Sequence, residues 1–390
     1  MKQEIISYLS TEKTSLSELC KFLYDNPEES YVEYKAYDYI TNFLKQRQFD
    51  VKYNFENIET SFLATKGNGH PRICFLCEYD AVKGQGHLTG HNLLSTISVA
   101  AAIGLGHIID KTHGSVHIIG CPGEYRGGVM ETLVHQGVFK DMDVVMVAHP
   151  DVVTSESGTS SAIIPLSIKY IGSEKLSFLN QNKYTALDAI LLTFNIINSL
   201  LKGLPKNTSI DSVLSKGGYT PLLQPLEAEA QLYIRSESMA TAAKVEKKIR
   251  EGVKFIGDLM NLESCVSLND PHSEELLTNI TLSRLCCHNL KEAGIIDVGP
   301  FRNVNSGLSI GAVSQKVPTI HPYIRITEDN VVQYGTKEFA QATISEFAIE
   351  QSIKAALALC YTSLDIIENE NLLGEVKSEF FDNSKCTCQI

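Results

Sequence analysis

Short apolar runs alternate with longer segments of helical period through the first part of the chain. Residues 17–47 read as helix: Ala36, Ile40, Phe43 and Leu44 recur at helical spacing, and Asn26-Pro27 punctuates the segment. Residues 72–79 form a continuous apolar run, which predicts a buried strand. Residues 92–109 read as an Ala-rich helix, 114–121 as a strand, 128–138 as a helix and 143–148 as a strand. Strand, helix, strand, helix, strand predicts right-handed crossovers and a parallel or mixed sheet covered by helices on both faces.

The period then changes. Residues 164–171 are strand-like, 185–202 form a strongly apolar helix, and 209–214 and 228–234 read as two strands. A charged amphipathic helix over 239–255 comes next, and 264–268 closes the unit. Strand, helix, two strands, helix, strand is the split ferredoxin-like order. It predicts an insertion at residues 158–270 within an α/β domain made of 1–157 and 271–390. Residues 340–367 are mostly helical, and the last residues look frayed.

Composition narrows the function classes. Of 390 residues, 43 % are hydrophobic and 21 % charged, which is the balance of a chain that buries a core. The formal charge of −12 argues against nucleic acid or an anionic membrane surface as the main partner. No secretion signal is evident at the start, and no uncharged apolar run of about 18 residues predicts a membrane span. The cysteines are scattered through apolar stretches (Cys74, Cys77, Cys360), which fits reduced thiols in a cytoplasm. The tail resembles a prenylation signal only loosely, because Thr387 stands where that signal needs Cys.

In an open α/β sheet, ligands collect beyond the carboxyl ends of the strands. The run 72–79 leads to Asp80 and then to Gly86-His87-Leu88-Thr89-Gly90-His91-Asn92. The strand 114–121 leads to Pro122-Gly123-Glu124-Tyr125, and 143–148 to His149-Pro150. A later apolar run ends at His321-Pro322. Several imidazoles and a carboxylate therefore converge on one edge. Neutral imidazole is a common zinc ligand, and a carboxylate nearby is the usual general base.

These motifs resemble those of the zinc aminoacylase and carboxypeptidase amidohydrolases, in the branch of hippurate, auxin-conjugate and aminobenzoyl-glutamate hydrolases. Asn26-Pro27-Glu28 with Glu33-Tyr34, Glu78-Tyr79-Asp80-Ala81, Gly90-His91-Asn92, Pro122-Gly123-Glu124, His149-Pro150, Ala186-Leu187-Asp188-Ala189, Val313-Ser314 and Val317 to Pro322 occur in the family's order. The resemblance implies a two-zinc α/β catalytic domain carrying an inserted ferredoxin-like α+β domain, through which two copies often associate as a homodimer. It implies metal ligands at His91, His149 and His321, a general base at Glu124, and a substrate pocket near Asp80, His87 and Ser309. Thr89 stands where the family has a bridging Cys, and Tyr125 where it has a ligand Glu. Leu176 lies nearest the place of a His that the insertion lends to the site, and Ala312 replaces an Asn.

The replacements change the charge balance. Two dications about 3.5–4 Å apart repel by on the order of 20 kcal/mol at an effective dielectric near 20. A thiolate and a carboxylate offset that repulsion, and two neutral hydroxyls do not. The sequence therefore predicts zinc at one site at most. It predicts action on an amide bond of a small N-acyl amino acid or peptide-like substrate, with Glu124 as base. Metal-independent chemistry (amide formation, cyclisation or isomerisation) and a non-catalytic ligand-binding role are the alternatives it leaves open.

Overall fold

The structure is a computed structural model that describes residues 1–179, 183–329 and 331–387. Residues 388–390, the end of the tail compared with a prenylation signal, lie outside the described residues. The chain divides into two compact units, one of Met1–Thr159, Leu277–Asn303 and the chain from Ala312 onward, the other of Ser160–Leu276 and Val304–Gly311.

In the first unit, two helices stand where the sequence predicts one interrupted helix over 17–47: α1 (Lys2–Asp25) and α2 (Tyr34–Gln46). Ile5, Leu9, Leu16, Leu19 and Leu23 extend one buried stripe back to the chain start. Pro27 ends α1, because the residue before a proline is disfavoured in the helical region. A six-stranded sheet comes after them. Its first five strands in the chain are β1 (Asp50–Tyr53), β2 (Phe62–Gly67), β3 (Arg72–Glu78), β4 (Ser115–Cys121) and β5 (Val144–Met146), and the sixth is Thr319–Ile320. The order is β1-β2-β4-β3-β5 and then Thr319–Ile320. The β1/β2 and β2/β4 pairs are antiparallel, and β4/β3, β3/β5 and β5 with Thr319–Ile320 are parallel. The strand expected over 143–148 shortens to β5. The chain then forms a second parallel pair, His149–Asp151 with Tyr323–Arg325.

Helix α3 (His91–Ile108) is buried along nearly its whole length against α1 and the helix Glu346–Glu368. Residues His91–Lys111 are long and apolar enough to cross a membrane, which corrects the expectation that no such run exists. Its burial inside the first unit makes it a core helix instead. The helix expected over 128–138 reduces to α4 (Met130–His135). The helix Glu370–Thr387 docks on the unit, and the chain end expected to fray includes residues 388–390, which lie outside the described residues. The Glu379 carboxylate there accepts the backbone N–H groups of Ile280 and Thr281 at 2.6 and 2.8 Å, capping the helix Ile280–Glu292.

The second unit is a four-stranded antiparallel sheet in the order Ser209–Lys216, Glu227–Ser236, Ala162–Ile171, Glu263–Leu268. Alternate residues of the central strands (Ile164, Leu166, Ile168, Leu232, Ile234) pack with the helices Ala186–Leu201 and Met239–Met260. A capping box, Thr185 with Asp188, starts the first of these helices. The chain leaves this unit at Leu277 rather than at residue 271. Residues 304–311 join it too, because Ser161 donates its N–H to the Ser306 carbonyl at 3.1 Å. Every cysteine whose side chain is described is a free thiol.

Candidate active site

In the first unit, β4, β3, β5 and Thr319–Ile320 run parallel, so their carboxyl ends open onto one edge of the sheet. β3 delivers Glu78 and Asp80, β4 the turn 122–126, β5 His149, and the last strand His321. His91 is the first residue of α3. Its predecessor Gly90 has φ +82°, and a Cβ there would meet Pro150 at 3.2 Å. Only glycine fits that left-handed, closely packed entry.

Asp80 is the hub of the cluster. One carboxylate oxygen accepts from His91 Nδ1 at 2.8 Å. The other accepts from Ser30 Oγ at 2.7 Å and from the Tyr125 N–H at 2.9 Å. Asp80 is fully buried, so it orients His91 instead of lining a substrate pocket, contrary to the expectation from sequence. His91 Nε2 lies 3.7 Å from Glu78 Oε2. The Nδ1 of His149 donates to the Pro150 carbonyl at 2.8 Å. One ligand atom each from Glu78, His91 and His149 falls within 4.8 Å of the others, and all three residues are buried. The His321 ring is 5.4 Å from that of His149, and its backbone N–H donates to Ser157 Oγ at 2.8 Å. His87 donates from Nε2 to the Leu23 carbonyl at 3.0 Å, which ties its loop to α1, and it is a buried member of the wall of a cavity that Tyr24, Glu28, Ala81 and Lys337 also line. Ser309 and Leu176 belong to the second unit, where Ser309 is buried.

The environment separates the imidazoles. Burial alone would depress His91, but the hydrogen bond and charge of Asp80, with Glu78 and Glu124 behind it, push it up to about 9. Burial holds His149 well below the ordinary histidine range, with the neighbouring His321 and His91 adding to the effect. Burial takes His321 down to about 4. Burial raises the Glu78 carboxyl well above the usual carboxylate range, reinforced by the charge of Glu124.

The two replaced ligand positions occupy each other. Thr89 Oγ1 and the Tyr125 hydroxyl are hydrogen-bonded, and the Tyr125 ring stacks on His91 with centroids 4.7 Å apart. Burial pushes the Tyr125 phenol further above its ordinary value, so it supplies no anion. This donor set does not fit a binuclear zinc centre. The Glu78, His91 and His149 set fits one divalent ion.

Glu124 stands in a short turn, Glu124–Arg126, with a buried carboxylate holding the amide on either side of it. Glu33 accepts the Gly123 N–H at 2.9 Å, and Asp80 accepts that of Tyr125 at 2.9 Å. Gly123 has φ +81°, and a Cβ there would collide with the Tyr31 ring. Since α4 begins only at Met130, Glu124 does not cap it. Glu33 also accepts from the Tyr31 N–H at 2.8 Å and Thr60 Oγ1 at 2.9 Å.

Burial pushes Glu33 up to about 7 from 4.5, despite these donors. The folded state thus keeps a proton that the unfolded chain releases. Stability should therefore fall as pH rises from about 4.5 to about 7, and the loss is complete above that. Its size is on the order of 3 kcal/mol. Glu33→Gln keeps an acceptor for both amides and is expected to flatten this slope. Urea denaturation of both proteins at pH 5 and pH 8 measures it, and equal slopes would refute the assignment.

Sequence reasoning missed Glu78 as a possible ligand, and Glu33 and Ser30 as supports. The signal for Glu78 was an acid closing an otherwise apolar strand. Ser30 carried none.

No protein-family profile matches the chain. The chain is similar to the Xaa-Arg dipeptidase of Mus musculus, 28 % identical over 412 residues, covering 100 % of this chain and 93 % of that one. Its fold is similar to that of a dinuclear metal-binding peptidase of the M20 family from Bacillus subtilis, with a TM-score of 0.65 at 16 % identity, covering 92 % and 99 % of the two chains. It is also similar to that of an aminobenzoyl-glutamate utilization protein from Klebsiella pneumoniae, with a TM-score of 0.67 at 14 % identity over 91 % and 98 %.

Proposed function

We propose that the chain, an amidohydrolase of the M20 peptidase type by its similarity to a dipeptidase and to M20-fold structures, hydrolyses the amide bond of a small N-acyl amino acid or dipeptide. The observation that carries this reading is the placement of Glu124, in a turn held on both sides, at the sheet edge where His91, His149 and His321 gather. Glu124 takes a proton from the attacking water and returns it to the leaving nitrogen. Glu33 and Asp80 fix the backbone that aims it. Asp80 also holds His91 in one ring orientation. His91 and His149, with Glu78, would hold at most one zinc, which when bound would polarise the scissile carbonyl. The similarity to a dipeptidase over the whole chain supports the substrate class.

A panel of N-acetyl amino acids, N-benzoyl amino acids and dipeptides, assayed for release of free amine with zinc supplied, tests the proposal. Turnover of at least one of these classes is the expected result. Absence of turnover across the panel would overturn it.

A further inference from the structure

We infer that Glu78, His91 and His149 form a mononuclear zinc site in which Glu78 supplies the carboxylate ligand that position 125 lacks. The assignment concerns the ion and does not depend on which bond the protein cleaves.

The three ligand atoms lie within 4.8 Å of one another. The 3.7 Å between His91 Nε2 and Glu78 Oε2 is close to the edge of a tetrahedral site, about 3.3 Å for bonds of about 2.0–2.1 Å. Inward movement of these two side chains closes that difference, and His149 moves in toward them from no more than 4.8 Å.

Ring orientation agrees with these distances. A ligating histidine normally donates its other N–H to an oxygen acceptor, which fixes the tautomer. Both rings do so here: His91 Nδ1 to Asp80 at 2.8 Å and His149 Nδ1 to the Pro150 carbonyl at 2.8 Å. Nε2 is then the nitrogen of each ring left to face an ion, which on binding displaces the proton that His91 carries there. The carboxylate–histidine pair of Asp80 and His91 is the arrangement that raises the basicity of a ligand.

Charge also suits a single ion. One ion needs no bridge, so the loss of a thiolate at Thr89 does not prevent its binding. The Glu78 carboxylate neutralises part of a dication, and Asp80 stands directly behind His91. The hydroxyls of Thr89 and Tyr125 bond to each other. His321, next to His149 in space, falls outside the three-residue group. Two His and one carboxylate are a ligand set zinc uses in sites that keep one position open.

The test uses the full chain, stripped with chelator and re-equilibrated with zinc chloride, with zinc per chain measured by mass spectrometry and affinity by competition with a chromophoric chelator. One zinc per chain is expected. Glu78→Gln should weaken binding at least about 100-fold, beyond the usual effect of an outer partner. His321→Ala should leave stoichiometry and affinity within a few fold of the wild type. Cobalt(II) in place of zinc gives a second readout: its visible absorption should change in Glu78→Gln and not in His321→Ala. Circular dichroism of the zinc-free variants confirms folding, and His149→Ala replaces Glu78→Gln should the latter misfold. Two zinc per chain, no zinc, or wild-type affinity in Glu78→Gln each overturns the assignment.

Discussion

Replacing Glu124 with Gln is expected to lower kcat by about 10²- to 10⁴-fold, the contribution of a positioned general base, with KM changed little. The substitution preserves size and one acceptor, and two bonds that hold the turn are made by other carboxylates. Those bonds run from the amides of Gly123 and Tyr125 to Glu33 and Asp80. A fall in kcat therefore reports lost proton transfer rather than a displaced loop. Steady-state kinetics on whichever amide the wild type cleaves best, with circular dichroism as the folding control, makes the measurement. Activity within twofold of the wild type would assign the base elsewhere.

The parts of this site that were legible in the sequence are those that local pattern controls. The apolar runs at 72–79 and 114–121 are strands because their residues are buried on both faces of the sheet, and the residues just past each strand land at one edge. His91, His149 and His321 could be placed together on that ground. The helix from residue 2 was not legible, because Lys2 to Thr14 mixes polar residues with a sparse stripe of Ile5 and Leu9 that only contact with α3 explains. The role of Asp80 was also hidden. An acid after a strand can equally face a pocket, and the choice is made by three donors that arrive from residues 30, 91 and 125. The same holds for Glu33, whose partner Gly123 is ninety positions away. Sequence shows the residue types, whereas the long-range pairing that defines their roles exists only in the fold.

Removal of Asp80 should destabilise the first unit strongly. Asp80→Ala leaves the His91 ring N–H, the Tyr125 amide and the Ser30 hydroxyl without their shared acceptor in a place that water does not reach. Breaking a buried ionic partnership from one side costs about 3–5 kcal/mol. Asp80→Asn is the informative companion. It keeps the shape but offers one carbonyl to donors on two sides, so either the Tyr125 bond fails or the amide NH2 faces His91 and Nδ1 must turn from donor to acceptor, at about 1–3 kcal/mol. The expected order of stability is wild type, Asn, Ala, read as the urea midpoint of zinc-free protein. Zinc affinity should track the same order and fall about 10- to 100-fold in the Asn variant, because the group that orients His91 is an outer partner of the ion. Equal midpoints for all three proteins would show that the carboxylate is not the hub that its three hydrogen bonds describe.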